Sequence, residues 1–304
     1  MLRNRLIKKI CIITSVILAI FIINIFPKES TVYHDNNKSY KGTIYLLDNN
    51  NFIAKIDMNF ESKNTIDLIN EIISIMTKNT NDSLKIRDGF TPPIPEKTKL
   101  INTNVKDNIA TLNFNEYIND IYPSLSEKMI QSIVYSITSI NSIDKVNILI
   151  NNKEISKIPN TNIDINNPIS KDIKINKIFN INDIKNINEV TIFYPAKLNN
   201  YNYVIPVTYY SNSNKEKIEI IIDELKSSST HNTNLISYIN NKTQLISYEL
   251  NPNSLVLNFN EFILDTNDIT EEVTYSLLKS VQSSYNVNEL VIKVNDNILY
   301  NYIL

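Results

Sequence analysis

Two glutamates occupy matching places in this sequence and are its first candidates for acid–base chemistry. Glu116 and Glu261 each follow the tetrapeptide Leu-Asn-Phe-Asn. A carboxylate pair can act as acid and base only when one cleft holds both groups several ångströms apart. Each copy of the motif supplies one glutamate, so the pattern favours a duplicated structural position over a catalytic pair.

Other reactive residue types are scarce. The chain has two histidines, His34 and His231, one cysteine, Cys11, and two glycines, Gly42 and Gly89. This inventory cannot build a Cys–His dyad, a histidine-rich metal site or a glycine-rich phosphate loop. We therefore predict no catalytic residue, no cofactor and no metal, and hence a protein that is not an enzyme.

Residues 265–268 read Asp-Thr-Asn-Asp and offer oxygen ligands. They lack the glycine and the distal glutamate of a calcium loop. We expect Asp268 to cap the helix that follows instead.

The best candidates for a binding surface are four tyrosines in or next to one predicted strand. Tyrosine is enriched in binding hot spots, and it is also a favourable strand residue, so both interpretations stay open. The candidate interface residues are Tyr201, Tyr203, Tyr209 and Tyr210.

The two glutamates belong to a long internal repeat. Residues 97–101 lead into the first motif, and residues 242–246 lead into the second, about 145 residues downstream. Alternating apolar residues predict a hairpin in each copy, with Asp107-Asn108 at the first turn. Ser124 and Glu127 form a capping-box pattern at the start of the next helix.

The residue pattern of each copy predicts the same series of secondary-structure elements. Two strands and an amphipathic helix precede the hairpin, and a helix and a strand follow it. In the first helix, Ile66, Ile69, Ile72, Ile73 and Met76 share one face. We align Tyr135-Ser136 with Tyr275-Ser276 in the second helices. The predicted fold is α+β: two tandem two-layer sandwiches, each with helices on one face of a mostly antiparallel sheet.

The apolar run at residues 10–26 predicts a transmembrane signal anchor, because it is close to the minimum span and lacks a small-residue cleavage site. Its basic flank predicts a cytoplasmic N-terminus and extracytoplasmic domains, in a single-pass cell-membrane protein. A net charge of −2 gives no reason to expect nucleic acid. The predicted segments are a basic flank (1–9), the anchor (10–26), a tether (27–42), domain 1 (43–154), a linker (155–188) and domain 2 (189–304).

Residues 94–100, the hairpin ending at 112–117 and the following helix–strand pair resemble the GerMN domain of sporulation and germination proteins. The resemblance covers about 43–153 and 190–299. Family members usually carry glycine where Lys97 stands in this chain, and the family's sporulation member is a lipoprotein.

The resemblance implies a non-enzymatic scaffold, since GerMN domains are similar to the ring-building motifs of secretion-type rings. It implies a sporulation or germination role in the complex joining mother cell and forespore, within the mother-cell membrane around the forespore. The implied partners are other sporulation membrane-complex proteins and the chain itself, with no small-molecule substrate. The residues leave one alternative open, an extracytoplasmic module that binds cell-wall glycan through the tyrosine-rich strand.

Overall fold

The structure, a computed structural model, divides the chain into two domains between Asn176 and Lys177. It describes residues 40–62, 64–227, 235–266 and 268–304. Domain 1 comprises the described residues up to 176, and domain 2 those from 177 to 304. Residues 155–176 of the predicted linker thus lie in domain 1.

Several predictions fall outside the described residues: the anchor at 10–26, Cys11, His34 and His231. Within the part of the chain that the structure describes, no helix is long and apolar enough to cross a membrane.

Domain 1 contains two sheets and two helices. In the first sheet β1 lies between β2 and β3, and all pairs are antiparallel. In the second, the order is β4-β5-β6-β7, with β5 and β6 parallel. The elements are β1 (Tyr40–Asp48), β2 (Ile53–Phe60), α1 (Thr65–Met76), β3 (Phe90–Thr91), β4 (Leu100–Lys106), β5 (Ile109–Phe114), α2 (Pro123–Ile137), β6 (Lys145–Ile150) and β7 (Lys153–Glu154).

Domain 2 repeats the order of the second sheet, and its first sheet has a different third strand. In its first sheet β10 pairs antiparallel with β9 and parallel with the short β8. In its second, the order is β11-β12-β13-β14, with β12 and β13 parallel. The elements are β8 (Ile178–Asn180), β9 (Asn188–Leu198), β10 (Tyr201–Ser211), α3 (Lys217–Ser227), β11 (Leu245–Leu250), β12 (Ser254–Phe259), α4 (Glu271–Ser284), β13 (Glu289–Val294) and β14 (Asn297–Ile303).

The prediction of one sheet in each copy is wrong, because the strands of each domain belong to two different sheets. Helix α2 connects β5 to β6, and α4 connects β12 to β13. A helix between two strands of one sheet returns the chain to the end where the first strand began, so those strands run parallel. The two-residue hairpin turn is confirmed: Asp107 and Asn108 have φ of 51° and 59°, as a primed turn requires.

Both capping predictions are wrong. Helix α2 begins at Pro123, and its N-cap residue Tyr122 makes no side-chain cap. Proline at the first helical position has a preformed φ, so the helix starts without a capping box. At α4 the cap is Thr270, whose side chain accepts from the Val273 N–H, while Asp268 accepts from its neighbour Ile269.

Candidate functional site

The repeated asparagine before each glutamate fastens the leading segment to the end of the hairpin. In domain 1, Asn115 Oδ1 accepts from the Lys99 N–H at 2.9 Å, and Nδ2 donates to the Lys97 carbonyl at 3.2 Å. The Asn115 backbone N–H also donates to the Lys99 carbonyl, at 3.0 Å. One side chain thus forms hydrogen bonds with backbone groups that the strand pairing leaves unpaired. We call this arrangement the asparagine clamp.

Domain 2 has the same clamp, centred on Asn260. Its Oδ1 accepts from the Gln244 N–H at 3.0 Å, its Nδ2 donates to the Lys242 carbonyl at 3.1 Å, and its N–H donates to the Gln244 carbonyl at 3.1 Å. The side chain at 244 differs from that at 99, yet the bonds persist because they use only the backbone of that residue. The clamp is therefore structural.

A second pair of polar side chains joins each hairpin to the turn after the last parallel strand. Asn113 Nδ2 donates to Asn152 Oδ1 at 2.7 Å, and the Asn152 N–H donates back to Asn113 Oδ1 at 2.9 Å. In domain 2, Asn258 makes the same two bonds with Asp296, at 2.8 and 3.1 Å. Asn113 and Asn258 are buried, so these reciprocal bonds satisfy polar groups that would otherwise be costly.

Each glutamate lies on the protein surface at the start of a short 3-10 helix. The backbone N–H of Glu116 and the Asn151 amide, 3.1 Å from Oε2, hold the pKa of its carboxyl below the usual range. The backbone N–H of Glu261 and the Asn295 amide lower the pKa of the second carboxyl in the same way. A solvated, ionised carboxylate of this kind is a poor general acid.

A lysine and an aromatic ring complete the surface next to each glutamate. Lys97 Nζ lies 5.9 Å from the centre of the Tyr117 ring, and Lys242 Nζ lies 5.6 Å from that of Phe262. These are cation–π distances, and all four side chains are exposed. Each lysine therefore lies over a neighbouring ring.

The four predicted interface tyrosines do not share one open face. Tyr203 and Tyr209 are 9% and 4% exposed, and Tyr209 Oη accepts from Asn180 Nδ2 at 2.7 Å. Burial raises the pKa of Tyr209 to about 12. Tyr210 points to the opposite side of β10 and stacks on Phe179, with ring centres 4.9 Å apart. Tyr201 is partly exposed. Their role as an interface stays a prediction.

Sequence reasoning missed two pairs of serines that close the open edges of strands. In domain 1 the Tyr45 N–H donates to Ser136 Oγ at 2.9 Å, and Ser139 Oγ donates to the Thr43 carbonyl at 2.9 Å. Both strand groups lie on β1 before the stretch that pairs with β3. The helix therefore takes the place of a missing neighbouring strand.

Domain 2 has the equivalent serine pair on α4. The Phe193 N–H donates to Ser280 Oγ at 3.1 Å, and Ser283 Oγ donates to the Thr191 carbonyl at 3.1 Å. The structural counterpart of Ser136 is thus Ser280, and the predicted alignment with Ser276 is wrong. The shared spacing Ser-x-x-Ser at 136–139 and 280–283 was the signal in the sequence that could have revealed this.

No cluster of three or more potential metal-ligating side chains occurs within the described residues. Of the calcium-like segment, Asp265 and Asp268 bond to each other through their backbones, with N–O distances of 2.7 and 3.1 Å.

The fold and the duplicated clamp define a tandem α+β protein. The Germane family, described as "Sporulation and spore germination", matches residues 43–156. The chain is 25% identical over 262 residues to the "Spore germination protein GerM" of Bacillus subtilis (strain 168), which covers 83% of this chain and 70% of that protein. The solved structure of the tandem GerMN domains of B. subtilis GerM matches with a TM-score of 0.76 and 24% identity, over 86% of this chain and 93% of that one. Residues 43–156 thus match the family model, and most of the chain has the fold of tandem GerMN domains, which confirms the resemblance drawn from the repeated motif.

Proposed function

We propose that this chain is a non-enzymatic, membrane-anchored assembly protein that acts outside the cytoplasm in sporulation or spore germination. The observation that carries the proposal is the tandem architecture shared with GerM over most of both chains. GerM is named as a sporulation and spore germination protein.

The site geometry supports a scaffold over an enzyme. The repeated polar residues bond to backbone groups of their own domain, and each exposed carboxylate is already engaged by an asparagine amide. Such networks make a domain rigid without creating a reactive group.

The finer parts of the proposal concern place and assembly. Residues 10–26 would anchor the chain, and the two domains would act as ring-building units in the complex that joins mother cell and forespore. Partners would be other membrane proteins of that complex and further copies of this chain.

A deletion strain tests the proposal through its yield of heat-resistant spores and through membrane-dye microscopy. We expect a large loss of spores with small or collapsed forespores, restored by the intact gene and by a gene encoding Glu116→Gln and Glu261→Gln. A normal spore yield would reject the sporulation role. Failure of the double glutamine variant to complement, despite normal protein levels, would reject the non-enzymatic assignment.

The second candidate, glycan binding, is favoured by the Phe179–Tyr210 ring stack. Phe179 is 61% exposed, and the two ring planes are within 9° of parallel. Flat exposed rings of this kind can stack on sugars. If the stack binds glycan, a peptidoglycan pull-down should retain the full chain and lose the Phe179→Ala variant.

A further inference from the structure

Domain 1 has an open groove between helix α1 and the outer side of β4. Its volume is about 580 Å³, and it is lined by one face of α1 and by consecutive residues 98–103. From α1 it takes Ile66, Asn70 and Ile73, which recur at helical spacing. A run of neighbouring strand residues in the lining means that the backbone edge of β4 forms one wall.

The backbone groups on that edge are available for strand pairing. Lys106 and Ile109 flank the two-residue turn and form a bonded pair, so alternate residues of β4 point their N–H and C=O groups toward β5. The groups of Thr103 and Val105 then point outward, and the register shift between Leu100 and Asn102 interrupts the alternation at Ile101. Among the described strands, β4 pairs with β5 alone.

Helix α1 overhangs this edge and leaves apolar surface open. Thr103 Oγ1 donates to Asn70 Oδ1 at 2.6 Å, which holds the helix to the strand. Ile66, on the predicted apolar face of the helix, is 42% exposed, and Ile101 is 53% exposed. A strand added beside β4 would cover both side chains and bury apolar surface under α1.

The charge of the groove sets a preference for its occupant. Of the residues described along its walls, Lys99 alone is charged, and it is exposed. Domain 2 has the uncharged Gln244 at the equivalent position, as the two clamps show. An anionic group near Lys99 would therefore gain an attraction that domain 2 does not offer.

We infer that this groove binds an extended peptide segment of a partner protein, which pairs with β4 as an added strand and places an acidic side chain beside Lys99. Outward donors and acceptors that repeat every second residue fit a peptide backbone, whose own groups have the same repeat. The inference rests on the proposed assembly role for its biological setting only, since the binding itself is measured on purified protein.

The test uses the full chain and a fluorescein-labelled peptide of alternating valine and threonine that carries one glutamate. We expect saturable binding by anisotropy. Hydrogen exchange should show slower exchange of the Thr103 and Val105 amides on binding, with Tyr248 and Leu250 of β11 unchanged. Absence of saturable binding, or equal protection of β11, would overturn the inference. A normal spore yield after deletion would instead reject the proposed function and leave this result standing.

Matched variants distinguish peptide binding in the groove from nonspecific binding elsewhere on the protein. Thr103→Pro removes an outward N–H from β4 and should abolish binding, whereas Tyr248→Pro makes the same change on β11 and should leave binding intact. Lys99→Gln copies domain 2 and should weaken binding about two- to fivefold, the size of an exposed ion pair. Gln244→Lys is its control and should change nothing. Equal effects of Thr103→Pro and Tyr248→Pro would contradict a site on β4. Should Thr103→Pro unfold, the exchange pattern of the unaltered chain still decides the question.

Discussion

The two domains share the hydrogen bonds of the asparagine clamp and of the serine pair, and they differ in how their first hairpins fill volume. Both have the asparagine clamp and the serine pair, with matching partners. Their first hairpins differ: Gly42 lies against the ring of Phe60, and the equivalent positions in domain 2 hold Val190 and Ser211. A small residue beside a large one in domain 1 thus becomes a large one beside a small one. At this pair of positions the repeat exchanges the larger and the smaller side chain, while it keeps the bonds of the clamp and of the serine pair.

The domains also complete their second sheets differently. In domain 2 the seven-residue strand β14 pairs along β13. In domain 1 strand β7 has two residues, and Ile169 bonds to Val146 in both directions, at 2.7 and 2.8 Å. Ile169, which lies beyond Glu154, therefore pairs with β6 where a longer β7 would pair. This pairing explains why the residues after Glu154 lie in domain 1.

The largest effect is expected at the exchanged volumes. A Cβ on Gly42 would lie 2.7 Å from Phe60 Cε2. Gly42→Val should lower the free energy of unfolding by about 2–3 kcal/mol through overpacking, and Phe60→Ser by about 4 kcal/mol through a cavity. The double variant copies domain 2 and should cost at least about 1 kcal/mol less than the sum. Denaturant unfolding of all four proteins measures this coupling. Strict additivity would contradict the volume exchange.

The serine pairs should respond alike in the two domains. Ser136→Ala leaves the buried Tyr45 N–H without its acceptor and should lower the free energy of unfolding by about 1–2 kcal/mol. Ser280→Ala should cost somewhat less, about 1 kcal/mol, because the Phe193 N–H is only partly buried. Hydrogen exchange should speed up at Tyr45 in the first variant and at Phe193 in the second. Unchanged exchange at either amide would mean that the helix does not close that edge.

Substitutions of the two threonines in the segments that lead into the hairpins, Thr98 and Thr243, should have different effects on stability. Thr243 Oγ1 donates to the Phe262 carbonyl at 2.8 Å, whereas Thr98 Oγ1 is buried with no hydrogen-bond partner among the described residues. Thr243→Val should therefore lower the free energy of unfolding by about 1 kcal/mol, and Thr98→Val should leave it unchanged or raise it. Thr243→Ser keeps the hydroxyl and serves as the control. Equal losses at both sites would show that the Thr98 hydroxyl is satisfied.

The smallest effect concerns pH. The pKa values of Glu116 and Glu261 are lowered in the folded state, chiefly by their own backbone N–H groups and then by Asn151 and Asn295. A lowered folded pKa gives stability that is present above the unfolded pKa and is lost as pH falls through the folded pKa. NMR titration should show both carboxyls titrating below the usual glutamate range. Asn151→Ala should raise the pKa of Glu116 alone, and a shift at both sites would argue against local bonding.

Features that depend on neighbouring residues were predictable from the sequence. The repeat register, the hairpin turn at Asp107-Asn108 and the apolar faces of the helices follow from spacing of two or about 3.6 residues, or from residues that tolerate positive φ. The candidate tyrosines show the limit of such patterns. Alternation assigns Tyr209 and Tyr210 to opposite sides of β10, but it cannot say which side is covered.

By itself, then, the sequence determined a tandem α+β protein with a duplicated motif and a residue inventory poor in catalytic groups. Tertiary structure alone decided that the strands of each domain belong to two different sheets, that helix serines close β1 and β9, and that the motif asparagines act as clamps. It also decided that Ile66 stays exposed beside an open strand edge. The physical reason is range: propensity and periodicity act over a few residues, whereas the bonds that close an edge or fasten a loop join groups far apart in the chain.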